Sequence, residues 1–191
     1  DYDRRNQKFQ TSSGQRHRFS QNIPLYSDEL SFRNSYEYNR FIEVGDNIVS
    51  SISFYGAAIT ALDSGEDVRI SQRLYIPSRK LRGFQSGRIG PVDATDHVGG
   101  NYAATINFNT DLPILTAMEE ADFKYFIDAA NLWAVDYRNN DDDSNKIRAS
   151  TGIAVDWYTP IGPLNFSLSQ VLQSKDTDVD ESFRFNIGTT F

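Results

Sequence analysis

Apolar and polar positions alternate along most of this chain, and helical periodicity is nearly absent. Over 183–191, Phe183, Phe185, Ile187 and Phe191 share one face, and Arg184 and Asn186 the other. Over 163–170, Leu164, Phe166 and Leu168 alternate with Asn165, Ser167 and Ser169. Ile153, Val155 and Trp157 alternate with Gly152, Ala154 and Asp156. Tyr102, Ala104, Ile106 and Phe108 alternate with Ala103, Thr105, Asn107 and Asn109. Phe123, Tyr125 and Ile127 alternate with Lys124, Phe126 and Asp128, while 15–27, 30–43 and 47–62 repeat the pattern less cleanly. The pattern predicts about eight strands, each long enough for the roughly 10 residues a tilted membrane strand needs.

Alternation alone fits two all-β architectures. A soluble sandwich turns its apolar face to a core, whereas an outer-membrane barrel turns it to lipid and its polar face to a wet lumen. The connections favour the barrel. Those at 64–98, 138–147 and 173–181 are long and acidic or Gly-rich, and those around 44–46, 114–121 and 161–163 are shorter. Short turns at one end and long loops at the other are the barrel arrangement; 27–29 is short on the long-loop side and breaks it. In the barrel reading Phe166, Leu168, Phe183, Phe185 and Ile187 face lipid, and Asn165, Ser167, Arg184 and Asn186 face the lumen. An arginine at Leu168 is then expected to be much costlier than one at Ser167.

Composition narrows the partners. A net charge of −7 argues against nucleic acid, since phosphate binding needs a basic surface. No cysteine is present, so neither a disulfide framework nor a thiolate metal site is available. No run of about 18 apolar residues occurs, which excludes a transmembrane helix. The chain of 191 residues opens on Asp1 without a signal-like apolar stretch, on what reads as a strand end, and is expected to be cut from something longer.

Candidate chemistry is sparse. His17 and His97 are far apart in sequence and no nucleophile elbow accompanies them. Asp176, Asp178 and Asp180 have the opening of a calcium loop but lack its glycine, and Ile187 stands where the bidentate glutamate belongs. They read as a solvated acidic loop, as does the run Asp141-Asp142-Asp143. No catalytic, cofactor or metal site is expected.

What stands out is the loop 80–91, KLRGFQSGRIGP, with three glycines and three arginine or lysine residues. A loop as long as 64–98 inside a compact domain is usually functional or disordered. Gly99-Gly100-Asn101 follows it and opens a new strand; Thr159-Pro160-Ile161-Gly162-Pro163 follows a Trp-containing strand; and FRFNIGTTF closes the chain on an amphipathic strand with a terminal aromatic. This ordered set, together with Lys8-Phe9-Gln10-Thr11 and Gly14, resembles the barrel of the bacterial surface antigen family over nearly the whole chain.

The resemblance implies a transmembrane antiparallel β-barrel of about sixteen strands preceded by periplasmic domains. Residues 1–191 read as its C-terminal part, about half, with no periplasmic domain present. The loop is implied to fold back into the lumen, where Arg82 of the Arg82-Gly83-Phe84 motif pairs with an acidic residue on a later strand. Asp128, already on the polar face by alternation, matches that position. The last strand, with Phe183, Phe185, Ile187 and Phe191, is implied to carry the C-terminal signal and to form one side of a seam that opens. Gly188 marks a bend in it. The implied function is folding and insertion of other outer-membrane proteins without ATP or covalent chemistry. Its implied partners are the outer-membrane bilayer, unfolded outer-membrane proteins and accessory lipoproteins bound through periplasmic domains.

The chain departs from the family in places. Members often carry a glutamate four residues before a proline at the end of the strand after the loop, where Asn109 stands before Pro113. Ala129-Ala130 replaces a usual glycine, and Gln10 a usual proline. A related transporter that secretes a partner protein, a self-contained small outer-membrane barrel and a soluble ligand-binding barrel are the alternatives. A partial barrel exposes strand edges that lipid does not tolerate. The isolated chain is therefore expected to aggregate, pair or require its missing part. A monodisperse, heat-resistant monomer in detergent, seen by gel mobility and light scattering, would instead favour the self-contained barrel.

Overall fold

The computed structural model describes residues 1–8, 10–23, 30–46, 48–62, 66–112, 121–135, 145–159 and 162–187. Gly188 and Phe191, the Asp141-Asp142-Asp143 run and the Pro160-Ile161 pair lie outside the described residues.

Strands make up nearly all of the regular structure. In chain order they are β1 (Tyr2–Asp3), β2 (Gly14–Asn22), β3 (Ser31–Gly45), β4 (Ile48–Ala61), β5 (Gly83–Phe84), β6 (Val92–Asp93), β7 (Asp96–His97), β8 (Tyr102–Asp111), β9 (Ala121–Trp133), β10 (Arg148–Thr159), β11 (Gly162–Gln173), β12 (Asp180–Glu181) and β13 (Phe183–Ile187). Nine of them form one sheet in the order β1-β2-β3-β4-β8-β9-β10-β11-β13. Each neighbour pairs antiparallel, so the expected all-β antiparallel architecture is present. The main strands are the expected ones; the ninth is the short β1, the strand end on which the chain opens.

Register follows the alternation. Val155 pairs with Phe166 and Phe166 with Phe185, so these apolar residues form a row on one face. The Phe166 and Phe185 rings lie 4.9 Å apart. A slip of one residue would turn this whole row to the other face, and packing therefore fixes the register. The outer face is apolar and open: Leu168 is 63% exposed, Ile187 69%, and Phe183, Ile106, Ile127 and Ile153 are also exposed. So continuous an apolar surface is not stable in water and marks an interface with another apolar phase.

The inner face holds the core. The chain between β4 and β8 crosses it, carrying two single-turn 3-10 helices (Ile70–Gln72 and Ser78–Lys80) and the short strands β5, β6 and β7. Val68, Leu74, Ile76, Leu81, Phe84 and Ile89 from this loop pack on Ala57, Ile59, Ala103, Ala130 and Leu132 of the sheet. Each fully buried large apolar side chain contributes about 1.5–3 kcal/mol. The stretch without strand patterning is thus the second layer of a packed domain.

One expectation about the faces needs correction. Ser167 is on the inner face but only 2% exposed, and it sits opposite Arg184 in the ladder. An arginine there would meet both packed chain and a like charge, so Ser167 is not permissive. Asn186 is exposed and pairs with Asn165 on the same inner face. Folding titrations in lipid should show Leu168→Arg destabilising by about 2–4 kcal/mol and Asn186→Arg by much less. Equal losses would contradict the assignment of faces.

Candidate functional site

The site begins with a strand and a loop that meet on the inner face. Asp128 lies in the middle of β9, where alternation turns it inward, and it is 0% exposed. Arg82 stands between Ser78–Lys80 and β5 in the crossing loop. The structure brings the two together. Arg82 donates from Nε to Asp128 Oδ2 and from Nη2 to Asp128 Oδ1, both at 2.7 Å, and its backbone N–H donates to Oδ2 at 3.1 Å. This is the bidentate fork that guanidinium allows and ammonium does not.

Neighbours complete the shell. Asn107 Nδ2 donates to Asp128 Oδ1 at 2.8 Å and to the Lys80 carbonyl at 2.9 Å. Arg82 Nη2 also donates to Asn109 Oδ1 at 2.8 Å. Asn109 therefore serves as the second acceptor, where the family pattern has a carboxylate. The Arg82 guanidinium carbon sits 3.6 Å from the centre of the buried Phe126 ring, a cation–π contact. The Ser150 hydroxyl of β10 donates to the Arg82 carbonyl.

Two glycines make this approach feasible. Gly83 has φ +88°, and a Cβ there would lie 3.0 Å from the Cβ of Ser150. Any other residue would be strained and would push the loop off β10. Gly152, paired with Phe126 across β9 and β10, leaves the space the Phe126 ring fills; a Cβ would come within 2.8 Å of that ring. Phe84, the last residue of the motif, is 2% exposed in the core.

The loop is tied elsewhere too. Lys80 Nζ contacts Glu37 Oε1 of β3 at 2.5 Å and lies 4.7 Å from the Tyr55 ring centre. β5 pairs with β12 through Gly83↔Glu181 and Phe84↔Asp180, which joins the crossing loop to the β11–β13 connection. In that connection Asp178 is not solvated: it accepts from Arg148 Nε at 2.9 Å, with both side chains fully buried. The reading of a wholly solvated acidic loop fails there, because Arg148 stands inward on β10 and needs a counter-charge. Asp176 and Asp180 are exposed, and no cluster suited to a metal occurs among the described residues.

The remaining candidates fall apart from this site. His17 on β2 contacts the Tyr36 hydroxyl at 2.8 Å, while His97 is in β7. Burial pushes the His97 imidazole below its ordinary pKa. Phe183, Phe185 and Ile187 lie on β13 at the edge of the sheet, with their side chains on the outer face. Alternation placed Asn107, Asn109 and Phe126 inward, but nothing in the sequence pointed to Ser150, Gly152 or Arg184 as neighbours of the loop.

An antiparallel wall, apolar outside and bearing a packed loop with a buried ion pair inside, is the wall of a transmembrane β-barrel. The chain belongs to the Omp85 superfamily, whose domain model matches residues 1–191. Membership places it in the outer membrane of a Gram-negative bacterium. It is 29% identical, over 141 residues, to the outer membrane protein assembly factor BamA of Neisseria meningitidis serogroup B, covering 58% of this chain and 17% of the relative. Its fold is similar to that of BamA from Haemophilus ducreyi lacking POTRA domains 1–3, with a TM-score of 0.84 and 24% identity, covering 96% of this chain and 40% of that one. The chain thus spans less than half the length of either relative.

Removing one partner of a buried pair strands the other charge and costs about 3–5 kcal/mol. Arg82→Ala and Asp128→Ala should each destabilise the protein by that order, with the double variant little worse than either single one. Arg82→Lys should recover only part of the loss. Denaturant titrations in lipid read all three; strictly additive losses would show that the two residues do not act as a unit.

Proposed function

We propose that the chain is the C-terminal part of the barrel of an outer-membrane protein assembly factor, which helps other β-barrel proteins fold and insert. The observation that carries this reading is the loop held on the inner face of an outwardly apolar sheet by the Arg82–Asp128 pair. Its membership of the Omp85 superfamily and its likeness to BamA support the same reading.

The physical problem such a factor addresses is the backbone of an unfolded strand. Each unpaired N–H or C=O in hydrocarbon costs several kcal/mol, so strands cannot enter one at a time. An exposed edge offers a template on which an incoming strand can satisfy its hydrogen bonds as it enters. In this reading Phe183, Phe185 and Ile187 keep the template in the bilayer, while Gly188 and Phe191 belong to the C-terminal signal. Arg82, Gly83, Phe84 and Asp128 act as a latch that holds the loop within the lumen. No catalytic residue, cofactor or nucleotide takes part. Unfolded outer-membrane proteins are the substrates, and accessory lipoproteins would bind through periplasmic domains outside this chain.

The related reading is a transporter of the same superfamily that secretes a partner protein through its pore. The two differ in where the substrate ends. The full-length protein in liposomes should speed insertion of a urea-unfolded outer-membrane barrel by about tenfold or more, or roughly 1.4 kcal/mol off the barrier. A photo-crosslinking side chain at Asn186 should capture that substrate during insertion. A substrate recovered inside the liposomes, with none inserted, would establish the transporter; an insertion rate equal to that in empty liposomes would overturn the assembly role.

A further inference from the structure

The terminal strand is held by more than its ladder. Arg184, at the second position of β13, points inward and its side chain is 10% exposed. Its Nε donates to Glu181 Oε2 at 2.7 Å, and its Nη2 donates to the same oxygen. Nη1 donates to the Ser78 carbonyl at 2.6 Å, and Nη2 also to the Phe84 carbonyl. Ser78 and Phe84 lie on either side of Arg82 in the chain. One guanidinium on the terminal strand therefore grips the same short segment, on both sides, that Asp128 holds at Arg82.

The consequence is mechanical. Among the described residues β13 pairs with β11 over Phe183–Ile187, a shorter ladder than the one β11 makes with β10. A short ladder opens more readily than a long one. Two charge-assisted bonds from Arg184 to loop carbonyls add to that hold, and they exist only while the loop is docked. We infer that Arg184 is a positioning residue through which the docked loop sets how readily β13 leaves its place in the sheet. The latch at Arg82–Asp128 and strand β13 are then one coupled unit, with Glu181 orienting the guanidinium between them.

This rests on the proposal that the edge of β13 is the working element, but its test does not. Backbone amide exchange is followed in the full-length protein in lipid nanodiscs, without substrate. Hydrogen bonds from charged groups shift a local equilibrium by a factor of about ten or more. Arg184→Gln should speed exchange across Phe183–Ile187 by about tenfold and leave the β9 amides unchanged. Arg184→Lys, with charge but no fork, should fall between. Arg82→Ala should also speed exchange at β13, and Arg82→Ala with Arg184→Gln should be no faster than the faster single variant. Wild-type exchange at β13 in Arg184→Gln, equal acceleration across the whole sheet, or additive effects of the two changes would each overturn the inference. Should Arg184→Gln fail to fold, Arg184→Lys carries the test, and wild-type exchange at β13 in it overturns the inference. Faster β13 exchange with unchanged substrate insertion in liposomes would leave the coupling standing and overturn the assembly role instead.

Discussion

A full negative charge sits at Asp128 where no solvent reaches it, and the inner architecture is arranged to neutralise it. Desolvating a carboxylate costs several kcal/mol unless opposite charge and donors surround it closely. Arg82 supplies the charge and three donors, and Asn107 supplies a fourth. Because Arg82 comes from the loop and Asp128 from β9, neutrality is reached only when the loop lies on the sheet. Such a pair adds little net stability over apolar packing, but it makes misdocked arrangements expensive. Its contribution is therefore to position: it decides which of many ways of filling the inner face is occupied.

The apolar contacts and the ion pair divide the work. Leu74, Leu81, Phe84 and Ile89 drive the loop onto Ala103, Ala130 and Leu132, a force with little directionality. The guanidinium fork, the Phe126 ring and the close approach at Gly83 then fix orientation. Asn109 bears on the charge balance. A carboxylate there would give Arg82 two anions to serve and leave the buried site with a net negative charge. The amide keeps one cation against one anion while still accepting a hydrogen bond. Around this centre the other inward charges follow the same rule: Arg148 meets Asp178, Lys80 meets Glu37, and Arg184 meets Glu181. Each joins a loop to a strand or a connection to its neighbour.

The outer face obeys the opposite rule. Leu168, Phe183 and Ile187 are open because lipid is to cover them, and the ladder satisfies the backbone groups that lipid cannot. On the inner face, the grip of Arg184 on both sides of the latch segment ties β13 to the docked loop.

Period-two alternation determined the strands, their faces and the all-β architecture, because the side-chain period of a strand is local and the two faces meet different surroundings. The same alternation placed Asp128, Asn107, Asn109 and Phe126 inward, and the glycine-rich loop with Arg82 drew attention by its composition. Alternation did not reveal that the loop forms the second layer of the domain, because a loop's apolar residues carry no period once they pack irregularly. Nor did it reveal that Asp178 is buried or that Ser167 is covered, since both depend on what lies across the inner face. Ser150 reaches Arg82 over 68 residues of chain, and Arg184 reaches Phe84 over 100. At such separations neither spacing nor propensity couples the partners. Only the curvature of the sheet and the path of the loop bring them within a hydrogen bond, and those are set by the packing of the whole wall.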